Sequence, residues 1–387
     1  MMPVNRVVVI GATGSIGRQA LDVIARFPHE LELVGAVAGS RAGALADALK
    51  PFPGARAVVV NPSDQVPYGM ATGPDAACEL AATQDADVIL VGGGGAGALL
   101  PTLAACETGA VLAVATKEVL VMAGELVTAT AAAHHTTIMP VDSEHSAIWQ
   151  CLRGEELETV ARLVLTASGG PFRAAPLEEI PGASRDRALA HPNWRMGPKV
   201  TIDSATMMNK GLEVIEAHFL FGLPYDRIDV VIHPQSAVHS LVEFCDGTLI
   251  AQLGIPDMRA PIALALSGGR RLPGVVPPLE LTQGARLDFE PLDPRRYPAL
   301  DVARRAAIRG GGVPAAMNAA NEVAVGAFLE GRIPFGGIAE VVAEVSDSFP
   351  GGPVRSLAEI LAADAAGRRQ AYDLVEEAAL SPAGPLP

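Results

Sequence analysis

Apolar and polar positions follow two rhythms along this chain of 387 residues. The first third repeats a β-branched run, a turn and an Ala/Leu-rich stretch with helical spacing. "RVVVIG", "LELVGAVAG", "ARAVVV", "ADVILVG" and "AVLAVAT" supply five such runs. Strands alternating with helices predict a parallel, doubly wound sheet, a Rossmann-like domain over residues 1–137 that closes near "AHHTT". Residues 138–271 mix the two patterns. "RLVLTASGG", "RIDVVIHPQSAVHSLVEF" and "GTLIAQLG" read as strands, and "SATMMNKGLEVIEAHFLFG" as one helix closed by Gly222. Residues 272–298, rich in Pro, Gly and Leu without a period, read as a linker. From 299 to 387 the spacing is helical, with a tail "SPAGPLP" expected to be disordered. The expected fold class is α/β: a Rossmann-like parallel-sheet domain, a central α+β catalytic domain and a C-terminal helical bundle.

Composition narrows the function classes. Hydrophobic residues make up 49%, enough for a sizeable core, and 43 acidic against 29 basic residues leave a net charge of −14. So acidic a chain, without a basic block, is a poor partner for nucleic acid. Cys78, Cys106, Cys151 and Cys245 form no CxxC pair, which argues against a zinc finger or disulfide scaffold. The N-terminus lacks the long apolar region of a signal peptide, and no stretch reads as a membrane span. A soluble, cytoplasmic protein is the expectation.

Gly11-Ala12-Thr13-Gly14-Ser15-Ile16-Gly17 follows the first strand and opens a helix. Glycines let the backbone approach a pyrophosphate, and the helix N-terminus offers N–H donors. An ordinary strand-to-helix turn fits the same residues. At the end of the second strand, Gly39-Ser40-Arg41 has no acid to hold a ribose 2′-hydroxyl, and Arg41 with Ser40 suits a 2′-phosphate. The pattern favours NADPH over NADH.

"IMPVDSEHSA", residues 138–147, ends an apolar run in Asp142-Ser143-Glu144-His145. In an extended strand Asp142 and Glu144 share one face, where a hard divalent cation relieves their repulsion. A solvated turn explains these four residues equally well. Glu213 adds a third carboxylate, and at helical spacing Asn209 (i,i+4) and Lys210 (i,i+3) share its face. Ser204 is expected to precede that helix, where it either caps it or, with Asn209 and Lys210, suits a phosphate monoester. Lys117, just after the fifth strand, is placed to hold a substrate hydroxyl or offset developing negative charge; a surface lysine opening a helix is the plain alternative. Ser168 before Gly169-Gly170 suits backbone approach to an oxyanion, and "AHPNWRMGP", residues 190–198, has the makings of a lid.

Together "GATGSIG", "PVDSEHSA", "SGGPF", "HPNWRMG", "DSATMMNKGLEVIEA", "IHPQSAVHS", "LGIPDMRAPI" and "NAANEVAV" resemble the 1-deoxy-D-xylulose 5-phosphate reductoisomerase family. The resemblance runs over essentially the whole chain. It implies NADPH- and metal-dependent conversion of 1-deoxy-D-xylulose 5-phosphate to 2-C-methyl-D-erythritol 4-phosphate, the committed step of non-mevalonate isoprenoid synthesis. It implies Asp142, Glu144 and Glu213 as ligands of Mn²⁺ or Mg²⁺, with Co²⁺ a further candidate. Lys117, Glu144 and Glu213 become the catalytic set. Ser143, Ser168, His191, Trp194, Ser204, Asn209 and Lys210 join them around the substrate. Gly11, Thr13, Gly14, Ser15, Ile16, Gly39, Ser40, Arg41, Thr116, Glu118 and Gly197 fall at cofactor positions. Thr116 stands where the family usually has Asn, Arg195 and Pro198 are unusual in the lid, and "GGGGAGALLP" at 92–101 is one residue longer than the family's usual segment. The resemblance also implies a homodimer sensitive to fosmidomycin. Another NADP-dependent oxidoreductase, of a semialdehyde or phosphorylated substrate, shares the glycine turn but has no use for the three carboxylates. A non-catalytic nucleotide-binding regulator has none either.

Overall fold

A computed structural model describes residues 4–191 and 196–380. The tail 381–387 and Trp194 of the expected lid lie outside the described residues. In chain order the strands are β1 (Asn5–Ile10), β2 (Leu31–Ala38), β3 (Arg56–Val59), β4 (Ala71–Thr72), β5 (Val88–Val91), β6 (Val111–Val114) and β7 (Thr137–Pro140). Then come β8 (Val160–Ala167), β9 (Ile228–Ile232), β10 (Val238–Phe244) and β11 (Leu249–Leu253). The helices begin with α1 (Ser15–Arg26), α2 (Ala42–Ala48), α3 (Pro74–Ala81), α4 (Leu99–Cys106), α5 (Lys117–Ala133), α6 (Ser143–Cys151) and α7 (Arg185–Leu189). They continue with α8 (Pro198–Thr206), α9 (Met208–Phe221), α10 (Arg259–Leu266), α11 (Pro298–Arg309), α12 (Val313–Leu329), α13 (Phe335–Ser348) and α14 (Leu357–Leu380).

The chain forms two compact units. The first takes residues up to 120, then 124–149 and 257–279. It holds a seven-stranded sheet of order β4-β3-β2-β1-β5-β6-β7, with every neighbouring pair parallel. The five runs read from the sequence are all strands of it. The run at 138–141, assigned to the central domain, pairs with β6 as the seventh strand. Val7, Val8, Val9, Ile89 and Leu90 are fully buried, as expected where helices cover both faces of a parallel sheet. Strand order reverses at β1, which lies between β2 and β5, so the carboxyl ends of β1 and β5 flank a crevice of the kind that binds ligands. The returning segment 257–279 is tied to this unit by Asn5 Nδ2 donating to the Leu266 carbonyl at 2.9 Å. Arg26 adds bonds to the carbonyls of Gly274 and Val275.

The second unit takes residues 121–123, 150–256 and those from 280 onward. Its four-stranded sheet runs β11-β10-β8-β9, with β8 and β9 parallel and the other pairs antiparallel. The C-terminal helices follow the predicted pattern. Ile202, Ala205, Met208 and Leu212 of α8 and α9 share one core with Ala303, Ala316, Met317, Ala320, Ala324, Val341 and Val342 of α11 to α13. The helices that carry the second unit's candidate residues are thus seated on the bundle.

Two local expectations are corrected. "SATMMNKGLEVIEAHFLFG" is not one helix: α8 ends and α9 begins at Met207, whose φ of 62° is left-handed. Ser204 therefore lies inside α8 rather than capping α9. Methionine seldom adopts that conformation, so no residue-level signal marks the break. Gly222 closes α9 as expected, at φ 69°. The second correction concerns Asp142 and Glu144. The strand stops at Pro140, and Ser143 and Glu144 form the first turn of α6. Strand alternation does not apply to them. The Asp142 carbonyl accepts the Ser146 N–H at 2.8 Å, and an acid in the first turn is favoured by the positive end of the helix dipole.

Candidate functional site

The glycine turn is built tightly. Gly11 has φ 85°, and a Cβ there would lie 2.6 Å from the Gly93 nitrogen. At Gly17 a Cβ would lie 2.2 Å from the Gly11 carbonyl oxygen, so only glycine lets α1 approach its own entry turn. Gly11 and Ala12 both donate to the Val37 carbonyl at 2.8 Å, which pins the turn to the end of β2. No side chain caps α1, and Gly14 stands at its N-cap. The orphan N–H groups with Gly14 and Ser15 at the helix entrance fit a pyrophosphate.

Arg41 Nη2 donates to the Thr13 carbonyl at 3.3 Å, so the exposed guanidinium spans from the end of β2 to the turn. Gly39 has open space where a Cβ would stand. Asp64, which sequence reading passed over, accepts the Ala42 and Gly43 N–H groups at 2.7 and 2.9 Å and so holds α2 directly behind Arg41. Those two backbone bonds hold its carboxyl below the usual range. It sits in "NPSD", a loop whose sequence gave no reason to single it out. Thr116 is buried; its hydroxyl donates to the carbonyl of Gly93, in the loop that closes on Gly11, and stands 3.3 Å from the carbonyl of Val91. Glu118 follows in the first turn of α5. Gly197 lies at the N-cap of α8, its carbonyl accepting from Thr201.

Lys117, Asp142, Ser143 and Glu144 come together in the first unit. Lys117 Nζ lies 2.5 Å from Asp142 Oδ2, and Ser143 Oγ donates to Glu144 Oε2 at 2.6 Å. Both members of the ion pair are largely screened from solvent, their side chains 12% and 16% exposed. The ends of β6 and β7 bring them together through the starts of α5 and α6, at the carboxyl edge of the sheet.

The second unit holds two further groups. On α9, Asn209 Nδ2 and Lys210 Nζ both bond to Glu213, as the helical spacing predicts. Lys210 is 3% and Glu213 1% exposed, so this is a buried pair, which requires partners for both charges. Beside it is a group that chain distance hides. His191 Nε2 lies 3.2 Å from Ser168 Oγ and 3.0 Å from Ser204 Oγ. Gly169 and Gly170 have φ of 81° and 61°, and a Cβ at Gly170 would lie 2.9 Å from the Ser204 carbonyl oxygen. That close approach lays the Ser168 loop against α8. Burial lowers the His191 pKa, favouring the neutral ring. Two hydroxyls, an imidazole, an amide and an ammonium are donors suited to a phosphate monoester.

The donor chemistry also fits a metal. Within the first unit, Asp142 and Glu144 offer carboxylate oxygens only, the preference of Mg²⁺ and Mn²⁺.

Known proteins carry the same arrangement of sequence. The model of 1-deoxy-D-xylulose 5-phosphate reductoisomerase matches residues 7–124, and models of its C-terminal domains match 138–221 and 253–370. The 1-deoxy-D-xylulose 5-phosphate reductoisomerase of Anaeromyxobacter sp. (strain K) is 48% identical over 391 residues, covering 98% of this chain and 100% of the relative. That of Rhodococcus jostii (strain RHA1) is 48% identical over 380 residues, covering 96% and 95%. Among solved structures, the Zymomonas mobilis reductoisomerase in complex with NADPH aligns with TM-score 0.89 at 41% identity, covering 97% of this chain and 100% of that one. A reductoisomerase in complex with NADPH, fosmidomycin and magnesium aligns with TM-score 0.88 at 38% identity, covering 96% and 98%.

Proposed function

The chain belongs to the 1-deoxy-D-xylulose 5-phosphate reductoisomerase family, and from that premise we propose how its own residues carry the reaction. It is an NADPH- and divalent-metal-dependent enzyme that rearranges and reduces 1-deoxy-D-xylulose 5-phosphate to 2-C-methyl-D-erythritol 4-phosphate. When bound, the cation supplies a Lewis acid for the substrate's carbonyl and hydroxyl oxygens, and NADPH supplies the hydride.

Asp142, Glu144 and Glu213 hold the cation. Lys117 donates to a substrate hydroxyl and offsets negative charge as it develops on the reacting oxygens. Ser143, bonded to the Glu144 carboxylate, orients that ligand and faces the substrate. Ser168, Ser204, Asn209 and Lys210 grip the phosphate, with His191 between the two serines. Remote binding energy of this kind orients the reacting carbons. Residues 190–198, Trp194 among them, close over the substrate and exclude water while the aldehyde awaits reduction. Gly11, Thr13, Gly14, Ser15, Ile16, Gly39, Ser40, Arg41, Thr116, Glu118 and Gly197 seat NADPH.

By function the chain divides as a cofactor domain at 1–137, a catalytic domain at 138–271, a linker at 272–298 and a helical domain from 299. It works as a homodimer in the cytoplasm and is inhibited by fosmidomycin. No described helix is long and apolar enough to cross a membrane.

The observation that carries the residue assignment is the donor set: oxygen-only carboxylates, two of them already paired with a lysine, Asp142 with Lys117 and Glu213 with Lys210. Purified protein given substrate, NADPH and Mn²⁺ should oxidise NADPH, and chelation should abolish the reaction. Glu213→Gln should lower turnover at least about 100-fold and weaken Mn²⁺ binding. A variant with unchanged metal affinity would remove Glu213 from the site.

A further inference from the structure

Asp203 immediately precedes Ser204 on α8 and is 1% exposed, yet both its oxygens have partners. Lys199 Nζ, one turn earlier, lies 2.9 Å from Oδ2. Asn321 Nδ2, on α12 of the helical bundle, donates to Oδ1 at 2.8 Å. Asn321 is itself fully buried. The surroundings are apolar: Ile202 and Ala205 on α8 share a core with Ala316, Met317, Ala320 and Ala324 on α12.

A carboxylate and an amide are costly to desolvate there, and an apolar pair of similar volume would hold the helices together without that cost. What the polar pair adds is geometry. Apolar side chains tolerate a few degrees of helix rotation, whereas the Asp203–Asn321 hydrogen bond is met at one rotation of α8. Ser204 follows about 100° further round the helix, so the same rotation sets where its hydroxyl stands. That hydroxyl is 3.0 Å from His191 Nε2, which in turn contacts Ser168.

We infer that Asp203 and Asn321 are positioning residues for the phosphate pocket, through which the helical bundle sets the orientation of Ser204. The inference rests on the phosphate reading of Ser168, His191 and Ser204. Neither Asp203 nor Asn321 need touch the substrate.

The test compares the full-length wild type with N321L, N321S, the exchange variant D203N/N321D and S204A, at saturating Mn²⁺. It reads KM for substrate, KM for NADPH, inhibition by inorganic phosphate, and thermal unfolding. N321L should raise the substrate KM and the phosphate inhibition constant together, by about tenfold, and leave the NADPH KM within about twofold. The exchange variant rebuilds the amide–carboxylate pair and should bring both back to within about threefold of wild type. If N321L does not fold, N321S, which is smaller and cannot reach Asp203, carries the same expectation. Wild-type substrate KM and phosphate inhibition in a folded Asn321 variant would overturn the inference, as would no recovery in the exchange variant. S204A separates the two layers. Unchanged phosphate inhibition in S204A would sink the phosphate reading and this inference with it. Weakened inhibition in S204A beside unaffected Asn321 variants would sink this inference alone.

Discussion

Lys117 Nζ and Asp142 Oδ2 stand 2.5 Å apart, a contact between the first residue of α5 and the residue just ahead of α6. The pair fixes the orientation of a carboxylate of the proposed metal site. It also sets a competition. An ammonium on Asp142 opposes a divalent cation that needs the same carboxylate. Removing the charge in K117Q should therefore tighten Mn²⁺ binding by about fivefold, roughly 1 kcal/mol. Turnover should still fall by about 10²- to 10³-fold, because the donor for the substrate oxygens is gone. Titrating free Mn²⁺ by electron paramagnetic resonance and following NADPH oxidation on the same protein checks both halves. Weaker Mn²⁺ binding in K117Q would mean that the lysine supports the site rather than competing for it.

His191 gives a pH prediction. Burial lowers its pKa from 6.5, so the folded protein holds fewer protons on this ring than the unfolded chain does in the window just below that value. The stability this group contributes is present above pH 6.5 and is lost as pH falls through the depressed folded value. Melting temperatures of wild type and H191N, measured from pH 7.5 down to pH 5, should run parallel in the upper part of the range and converge below about pH 6.5 as the wild type loses ground. Curves that stay parallel throughout would show that His191 is not responsible for the acid limb. Inorganic phosphate should shift the wild-type curve, since an anion beside the ring favours its protonated form.

Much of this is legible in the sequence. The five β-branched runs of the first sheet, the glycine turn and the Asn209–Lys210–Glu213 face all follow from local spacing, and local spacing is what a sequence displays. The rest depends on contacts between distant segments or on backbone states that no residue type announces. Ser168 and Ser204 meet at His191 across 36 residues of chain only because Gly170 lets its loop lie on α8. Met207 breaks a helix without being Gly, Asn or Pro. Asp142 and Glu144 looked like strand residues because β7 runs into them, but Ser143 is a good helix opener and the chain turns there. Asn321 sits in a motif that carried the family resemblance, yet nothing in that motif pointed to Asp203, 118 residues earlier.

Arg41 is the residue proposed to select NADPH over NADH. Its guanidinium reaches from the end of β2 to the Thr13 carbonyl, and no acid stands at that strand end to bind a ribose hydroxyl. Charge-assisted bonds to a 2′-phosphate are each worth about 1.5–3 kcal/mol, so R41A should cut the NADPH-over-NADH ratio of kcat/KM by about 10- to 100-fold. The loss should fall on NADPH, leaving NADH within about twofold. Raising ionic strength should weaken NADPH binding in the wild type more than in R41A, because the interaction is exposed and screened by salt. Steady-state kinetics with both cofactors at two salt concentrations reads all three quantities. An equal loss with NADH and NADPH would assign Arg41 to holding the Thr13 backbone and the glycine turn. The 2′-phosphate would then have to be bound by Ser40 or by the backbone beside Gly39, where a Cβ would meet nothing within 4 Å.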